Sequence, residues 1–233
     1  MRYLGSVVLA AMAALSLALS APASAQQKHG HGEAKAQSKD GAHHQRFDDP
    51  EKWAKQFDDP ERAAWQKPDE VIQALGLKPN VKVADIGAGT GYFAIRLARA
   101  FPGGTVYAVD LEPKMVAYLG ERAKSLGFAN MKTLQGDAVS PKLPEKVDLL
   151  LFVNVYHHID DRISYVKALA GSLASGGRIA IIDQSMEAPR GPPRDHRIGV
   201  ETIDKEMTAA GFKRTAQHGF LPYQNFVVYE AAR

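Results

Sequence analysis

The 233-residue chain contains no cysteine. Disulfide bonds, thiolate metal sites and a cysteine nucleophile are therefore excluded, and this absence suits an oxidising compartment. The chain also lacks any dense block of lysine or arginine, and its formal net charge is only +3 at pH 7. We therefore expect no binding to nucleic acid. Beyond residue 25 no apolar run is long enough to cross a bilayer, so we expect no stable membrane span after removal of a signal peptide.

The first 25 residues have the three parts of a secretory signal peptide. Arg2 supplies the positive start, residues 4–19 are mostly apolar, and Ala23-Ser24-Ala25 fits a cleavage site. We therefore predict cleavage before Gln26 and export to the periplasm or cell envelope. The alternative is a membrane anchor, which the short apolar stretch and Pro22 disfavour.

Residues 26–45 form a polar segment that has almost nothing apolar to bury, and we predict a disordered linker here. Four histidines lie in this segment: His29, His31, His43 and His44. Clustered imidazoles bind Cu²⁺, Ni²⁺ or Zn²⁺ weakly, so weak metal binding is one role for the linker. The alternative is a solvated linker whose histidines have no role. We predict no other metal site.

A five-residue sequence occurs twice after this linker. Residues 47–51 read Phe-Asp-Asp-Pro-Glu, residues 57–61 repeat it, and a tryptophan follows each copy. In each copy the second aspartate suits a helix N-cap and the proline suits the first helical position. We therefore predict that residues 46–67 form a helical lid over a ligand cleft, followed by one α/β domain at residues 68–233. The alternative is that the aromatic side chains only anchor these helices to the core.

Residues 81–91 change from an apolar run to a glycine-rich turn, and a helical pattern follows at residues 92–100. This order is typical of a nucleotide-binding strand, turn and helix. The spacing is Gly-x-Gly-x-Gly, with Asp85 two residues ahead of the first glycine. A dinucleotide site has a different glycine spacing, and a carboxylate at the strand end would repel a pyrophosphate. The pattern therefore disfavours a phosphate ligand at this turn.

Polar side chains follow four further predicted strands, at residues 105–109, 131–135, 147–153 and 179–182. The residues that follow are Asp110, Asp137, Asn154 with His157 and His158, and Asp183. Parallel strands end at one edge of a sheet, so these side chains are expected to line one crevice. Asp110 is also compatible with a helix cap. The last two predicted strands, 213–217 and 225–230, are too closely connected to run parallel and predict a hairpin.

Together these motifs resemble the class I S-adenosylmethionine-dependent methyltransferases over about residues 68–230. The resemblance implies a Rossmann-like, doubly wound α/β fold, with a seven-stranded sheet that is mostly parallel, an antiparallel last strand and helices on both faces. It implies S-adenosylmethionine as cofactor, with the glycine turn and Asp85 at the methionine end, Asp110 at the ribose and Asp137 at the adenine. The full set of cofactor-binding residues is then Asp85, Gly87, Ala88, Gly89, Gly91, Asp110, Leu111, Asp137, Ala138 and Asn154.

The predicted function is methyl transfer to an oxygen, nitrogen or carbon atom of a small-molecule acceptor. His157, His158 and His196 are the candidates for a general base, because an imidazole titrates near neutral pH. We prefer His158 over His157, since Ile159 must turn inward for the next helix. The alternative is that one of these histidines caps that helix. Two other functions stay open: a non-catalytic ligand- or metal-binding protein on the same scaffold, and a nicotinamide-dependent oxidoreductase, which the glycine spacing disfavours.

Overall fold

A computed structural model of the protein describes residues 47–232. The predicted signal peptide and the histidine-containing linker lie outside these residues. Seven strands form one sheet: β1 (Lys82–Ile86), β2 (Thr105–Asp110), β3 (Met131–Gln135), β4 (Val147–Val153), β5 (Leu173–Gln184), β6 (Phe212–His218) and β7 (Gln224–Ala231). Their order across the sheet is β3-β2-β1-β4-β5-β7-β6. β7 runs antiparallel to both of its neighbours, β5 and β6, whereas the pairs among β1 to β5 are parallel, which confirms the predicted fold class.

In the part of the chain that the structure describes, seven α-helices accompany the sheet: α1 (Pro50–Phe57), α2 (Arg62–Gln66), α3 (Pro68–Ala74), α4 (Tyr92–Ala100), α5 (Pro113–Ser125), α6 (Arg162–Leu169) and α7 (Val200–Ala209). Short 3-10 turns lie at Tyr156–His158, Ala170–Ser172 and Arg194–His196. Within residues 47–232 no helix combines the length and the apolar character that a membrane span requires.

The sheet is buried on both faces, as the apolar run of β4 predicts. Alternate residues of this strand point to opposite sides: Leu149 and Leu151 belong to one core cluster, and Leu150 and Phe152 to the other. Helices α3, α4 and α5 cover the first face, and α6 and α7 cover the second. The central strands are therefore held rigidly, and their carboxyl ends are fixed relative to one another.

Two predicted element boundaries differ from the structure. The strand predicted at residues 179–182 is the end of the longer β5, which already pairs with β4 at Leu173. The glycine pair lies inside this strand at an irregularity in the pairing, where Gly176 has a φ of 74°. The second copy of the repeat begins its α-helix at Arg62, because the preceding turn makes i→i−3 hydrogen bonds such as Ala63 N to Pro60 O at 3.2 Å.

Candidate active site

The crevice lies where the chain reverses its direction across the sheet. From β1 the strands proceed to β2 and β3 on one side, whereas β4 and β5 lie on the other side. The connections that leave the carboxyl ends of β1 and β4 therefore lead toward opposite edges of the sheet, and open α/β sheets bind their ligands at such a point. The glycine turn after β1 and the polar residues after β4 lie on the two sides of this crevice.

The glycine turn requires its glycines for both backbone and packing reasons. Gly87, Gly89 and Gly91 have φ values of 68°, 56° and 90°. A Cβ atom on Gly87 would lie 2.5 Å from a methyl carbon of Val155, the residue that follows Asn154 in the loop after β4. The loops after β1 and β4 thus touch at Gly87, which leaves no room for a side chain.

Asp110 ends β2 and holds the glycine turn in place. Its Oδ2 accepts a hydrogen bond from the Gly89 amide at 2.8 Å, and its Oδ1 accepts one from the Glu112 amide at 3.0 Å. Burial raises the pKa of Asp110, although the hydrogen bonds from the Glu112 and Gly89 amides oppose this shift. Asp110 therefore fixes the backbone at the predicted ribose site. Asp110 is not the cap residue of α5, since Glu112 occupies that position and its amide donates to Asp110.

Asp85 is buried, with only 3% of the residue exposed. Burial raises its pKa to about 7, whereas the Ala94 amide in the first turn of α4 and the charge of Arg62 lower it. Gly91, the N-cap residue of α4, has no side chain to cap the helix. The Asp85 carboxylate instead accepts the Ala94 amide in the first turn. The carboxylate is thus poised between its neutral and ionised forms near neutral pH.

Asp137 is folded back on its own loop after β3. Its Oδ1 accepts the amides of Val139 at 2.9 Å and Ser140 at 2.8 Å, and its Oδ2 lies 3.1 Å from Lys142 Nζ. These contacts, the Val139 amide first, lower the pKa of Asp137. The carboxylate shapes the loop next to the strand end that carries Asp110.

Two large apolar side chains are exposed beside these carboxylates. Leu111 follows Asp110 and is 56% exposed, and Val139 lies in the Asp137 loop and is 68% exposed. The two segments are neighbours, because β2 and β3 pair at Asp110 and Gln135. Exposed apolar side chains next to acidic acceptors suit a planar base with an exocyclic amino group. The chain's own residues therefore fit an adenosine at this end of the crevice.

A histidine–aspartate pair lies on the other side of the crevice. His157 follows β4 in the 3-10 turn, and its Nδ1 lies 2.8 Å and 2.9 Å from the two carboxylate oxygens of Asp183. The backbone amide of His157 also donates to Asp183 at 3.1 Å. The two side chains are only 6% and 2% exposed. This carboxylate fixes both the position and the ring orientation of His157.

The other two candidate histidines have different surroundings. His158 is exposed, its ring centre is 4.0 Å from that of His157, and its other ring neighbour is Phe47 at 5.9 Å. Neither of these two histidines caps helix α6, because Asp161 accepts the Ser164 amide at 3.0 Å. His196 is exposed on the 3-10 turn Arg194–His196, and no hydrogen bond or ring contact within residues 47–232 joins it to His157.

Residues 47–66, here called the N-terminal cover, pack against the glycine turn. Ring carbons of Phe57 lie 3.4 and 3.5 Å from where a Cβ on Gly89 would be. Phe57 stacks on Trp53 at 5.3 Å, and Trp53 packs against Phe47 at 4.9 Å. Asp58 accepts hydrogen bonds from Thr90 Oγ1 at 3.0 Å and from Arg122 at 2.7 Å. The first residues of the two repeats, Phe47 and Phe57, thus belong to one aromatic cluster, and Phe57 lies against the glycine turn.

Sequence reasoning did not identify a chain of amide side chains that crosses the site. Gln66 of the N-terminal cover donates to Gln224 at 2.8 Å, and Gln224 donates to Asn154 at 2.6 Å. Asn154 is held in a left-handed conformation, with a φ of 57°. These residues are far apart in the sequence and follow no local motif, so only the folded chain reveals their contact.

Comparisons with known proteins agree with this geometry. Residues 83–177 match a family model described as a methyltransferase domain. A solved S-adenosylmethionine-dependent methyltransferase from Aquifex aeolicus is 27% identical, with a TM-score of 0.72, over 78% of this chain and 97% of that chain.

Two curated relatives match part of the chain. The chain is 34% identical over 116 residues to a protein-L-isoaspartate O-methyltransferase of Aeropyrum pernix, and 27% identical over 126 residues to a demethylmenaquinone methyltransferase of Bacillus cytotoxicus. These matches cover 48% and 52% of this chain, and 42% and 52% of those relatives. The chain thus spans about half the length of the curated relatives that it matches. Residues 83–177 are thus similar to a methyltransferase domain, the fold is similar to that of an S-adenosylmethionine-dependent methyltransferase, and this likeness implies S-adenosylmethionine as the cofactor.

Proposed function

We propose that the protein transfers a methyl group from S-adenosylmethionine to a small molecule that must lose a proton as it reacts. The observation that carries this proposal is the placement of two features at one edge of the sheet. The glycine turn with Asp85 follows β1, and the His157–Asp183 pair joins the ends of β4 and β5. A binding site for the methyl donor therefore faces a fixed imidazole across the crevice.

S-adenosylmethionine supplies, when bound, an electrophilic methyl group on a positively charged sulfur. The residues of this chain bind and orient the two reactants. Asp110 Oδ2 accepts the Gly89 amide at 2.8 Å, and the carboxylate has further lone pairs that can accept hydroxyl groups. Most of the rate enhancement in such a site comes from holding the acceptor in line with the methyl group.

His157 is the group that we assign as general base. With Asp183 ionised, the Nδ1 that faces the carboxylate at 2.8 Å carries a proton and donates it. Nε2 of the same ring is then the basic atom. Asp183 is a positioning residue, because it selects this tautomer and stabilises the imidazolium that forms after proton transfer. Because His157 has this buried carboxylate contact, we favour His157 over His158 as the base.

A base of this kind limits the class of acceptor. An imidazole removes a proton from a phenol, an enol or an acidic carbon far more readily than from an amine that already has a free electron pair. The aromatic rings of the N-terminal cover extend from the glycine turn to His158. We therefore propose a small acceptor with an ionisable hydroxyl or acidic C–H group on a flat ring.

We also propose that the chain acts after export. The support is the sequence pattern of residues 1–25 and the lack of cysteine. Amino-terminal sequencing of the protein recovered from a periplasmic fraction tests this proposal. A mature chain that starts at Gln26 supports it, and an uncleaved chain that stays with the cytoplasmic fraction contradicts it.

The cofactor site is tested by calorimetry with S-adenosylmethionine, its demethylated product and NADH. We expect micromolar binding of both sulfur ligands, which Asp110→Ala abolishes. The matched control is Asp148→Ala, because Asp148 also accepts a strand amide at 2.8 Å, from Lys82, but lies at the amino end of β4. Binding of NADH in place of both sulfur ligands would identify a nicotinamide-dependent enzyme.

Catalysis is tested with methyl-labelled S-adenosylmethionine and a panel of phenols, quinols and acidic C–H compounds. We expect His157→Ala to lower turnover by about 100- to 10,000-fold with unchanged cofactor affinity. His158→Ala is the matched control and should retain most of the activity. The opposite ranking would assign the base to His158, and cofactor binding without transfer to any acceptor would support a non-catalytic binding protein.

A further inference from the structure

The loop between β5 and helix α7 is held in one shape by its own residues. The Arg197 guanidinium donates to the carbonyl oxygens of Ser185, Met186, Ala188, Arg190 and Pro192, the shortest of these bonds being 2.6 Å to Ala188. Gly191 has a φ of 99°, and a Cβ on it would lie 2.8 Å from Cγ of Gln184, the last residue of β5. The loop is therefore packed on the end of the strand, and its outward side chains leave from fixed positions.

Three arginines of this loop have different surroundings. Arg197 donates inside the loop, and Arg194 forms an exposed ion pair with Glu187 at 2.8 Å. The Arg190 side chain, in contrast, has no hydrogen bond or ion pair with any other of residues 47–232. Its guanidinium therefore keeps its five N–H donors for solvent or a ligand.

The Arg190 guanidinium lies against two aromatic rings from opposite ends of the described chain. Its central carbon is 5.7 Å from the ring centre of Trp65 and 5.4 Å from that of Tyr223. The two ring centres are 6.4 Å apart. A cation within about 6 Å of a ring face is attracted to it, and this contact leaves the N–H groups at the edge of the guanidinium available. Arg190 is exposed and both rings are half-buried, so the cluster can be reached from solvent.

This cluster of Trp65, Arg190 and Tyr223 lies at the same edge of the sheet as the proposed general base. The Ser185 amide donates to the Tyr223 carbonyl at 2.9 Å. Ser185 comes two residues after Asp183, the carboxylate partner of that base, which is about 7 Å along an extended strand. The cluster therefore flanks the part of the crevice where the acceptor is proposed to bind.

We propose that Arg190 binds a carboxylate of the methyl acceptor, while Trp65 and Tyr223 pack against the acceptor's carbon skeleton. This assignment rests on the proposed function, because it places the acceptor between the cluster and the base. A guanidinium offers paired N–H groups that match the two oxygens of a carboxylate. The proposal narrows the acceptor class from flat hydroxyl or acidic C–H compounds to those that also carry a negative charge at a distance from the reacting group.

The test compares two probes, para-hydroxyphenylpropanoate and its methyl ester, as ligands of the full chain loaded with the demethylated cofactor. The probes share the phenol and the ring, and only the first is charged at its other end. We expect calorimetry to show that the acid binds about 5- to 10-fold more tightly than the ester, and that Arg190→Met removes this preference. Added salt should also reduce the preference, because it screens an exposed ion pair.

Arg194→Met is the matched control. Arg194 is an exposed arginine of the same loop, but its guanidinium already pairs with Glu187, so this variant should keep the preference for the acid. Arg190→Lys should keep part of it, and Trp65→Leu should weaken both probes by the same factor. Equal binding of acid and ester to the unmodified protein, binding of neither, or an unchanged preference in Arg190→Met would overturn the assignment. A protein that binds S-adenosylmethionine and methylates neutral phenols without such a preference would keep the proposed function and lose only this assignment.

Discussion

Replacement of Gly87 by alanine tests whether the loops after β1 and β4 are as closely packed as described. Two costs add at this position. A non-glycine residue at a φ of 68° costs about 1–2 kcal/mol in backbone strain. The new methyl group would also lie 2.5 Å and 2.8 Å from the two methyl carbons of Val155, and overpacking of this kind costs about 1–3 kcal/mol. We therefore expect Gly87→Ala to lower the free energy of unfolding by about 2–5 kcal/mol.

A double-mutant cycle in urea separates these two costs. Combining Gly87→Ala with Val155→Ala should recover the steric part, so the coupling energy should be about 1–3 kcal/mol. Gly127→Ala is the matched control, because Gly127 has a similar φ of 73° and nothing lies within 4 Å of an added Cβ. It should show the backbone strain alone, about 1–2 kcal/mol. Equal destabilisation by Gly87→Ala and Gly127→Ala, or no rescue by Val155→Ala, would refute the packing argument.

Four further predictions concern charged groups of the site. Burial raises the folded-state pKa of Asp85 from 3.8 to about 7, so its carboxyl stabilises the ligand-free fold below about pH 4. This contribution is lost as the pH rises through about 7. Asp85→Asn should flatten that decline in stability in urea titrations, and an unchanged decline would contradict the prediction. Binding of the cationic cofactor requires the ionised carboxylate, so calorimetric affinity should increase from pH 6 to pH 8 in the unmodified protein and not in Asp85→Asn. Asp183→Asn should lower turnover by about 100-fold or more with unchanged cofactor affinity, since the amide can hold His157 in the wrong tautomer; full activity would remove Asp183 from the mechanism. Asp58→Ala breaks the contacts to Arg122 and Thr90, so limited proteolysis should cut residues 47–66 faster, and unchanged protection would show that the aromatic contacts alone hold the cover.

The fold was largely predictable because its signals are local. The glycine turn, the buried run of β4 and the short connection before β7 each follow from spacing or composition within about ten residues. The strand ends at Asp85, Asp110 and Asp137 were placed at one edge by the same reasoning. What these carboxylates do was less predictable, because each is shaped by amide groups in its surroundings, as when Asp137 accepts the amides of its own loop.

The choice between the two adjacent histidines shows where sequence reasoning ends. The preference for His158 assumed that Ile159 alone sets the orientation of the pair. The structure gives His157 a buried carboxylate from Asp183, 26 residues further along the chain, which no local pattern reveals. The contact of Arg190 with Trp65 and Tyr223 was missed for the same reason, since it depends on how three distant segments of the chain pack together. Which histidine acts on the acceptor stays a prediction.

The hydrogen bond between Gln66 and Gln224 can form only after the start of the last strand has been made. Its two partners are 158 residues apart, one near the start of the described chain and the other at the start of the last strand. Synthesis proceeds from the amino end, so Gln66 is made long before Gln224. This contact of the N-terminal cover is therefore completed only after residue 224 has been made, whereas its contacts with Gly89, Thr90 and Arg122 involve residues made earlier. A chain cut short before residue 224 would lose the hydrogen bond to Gln66 at its opposite end.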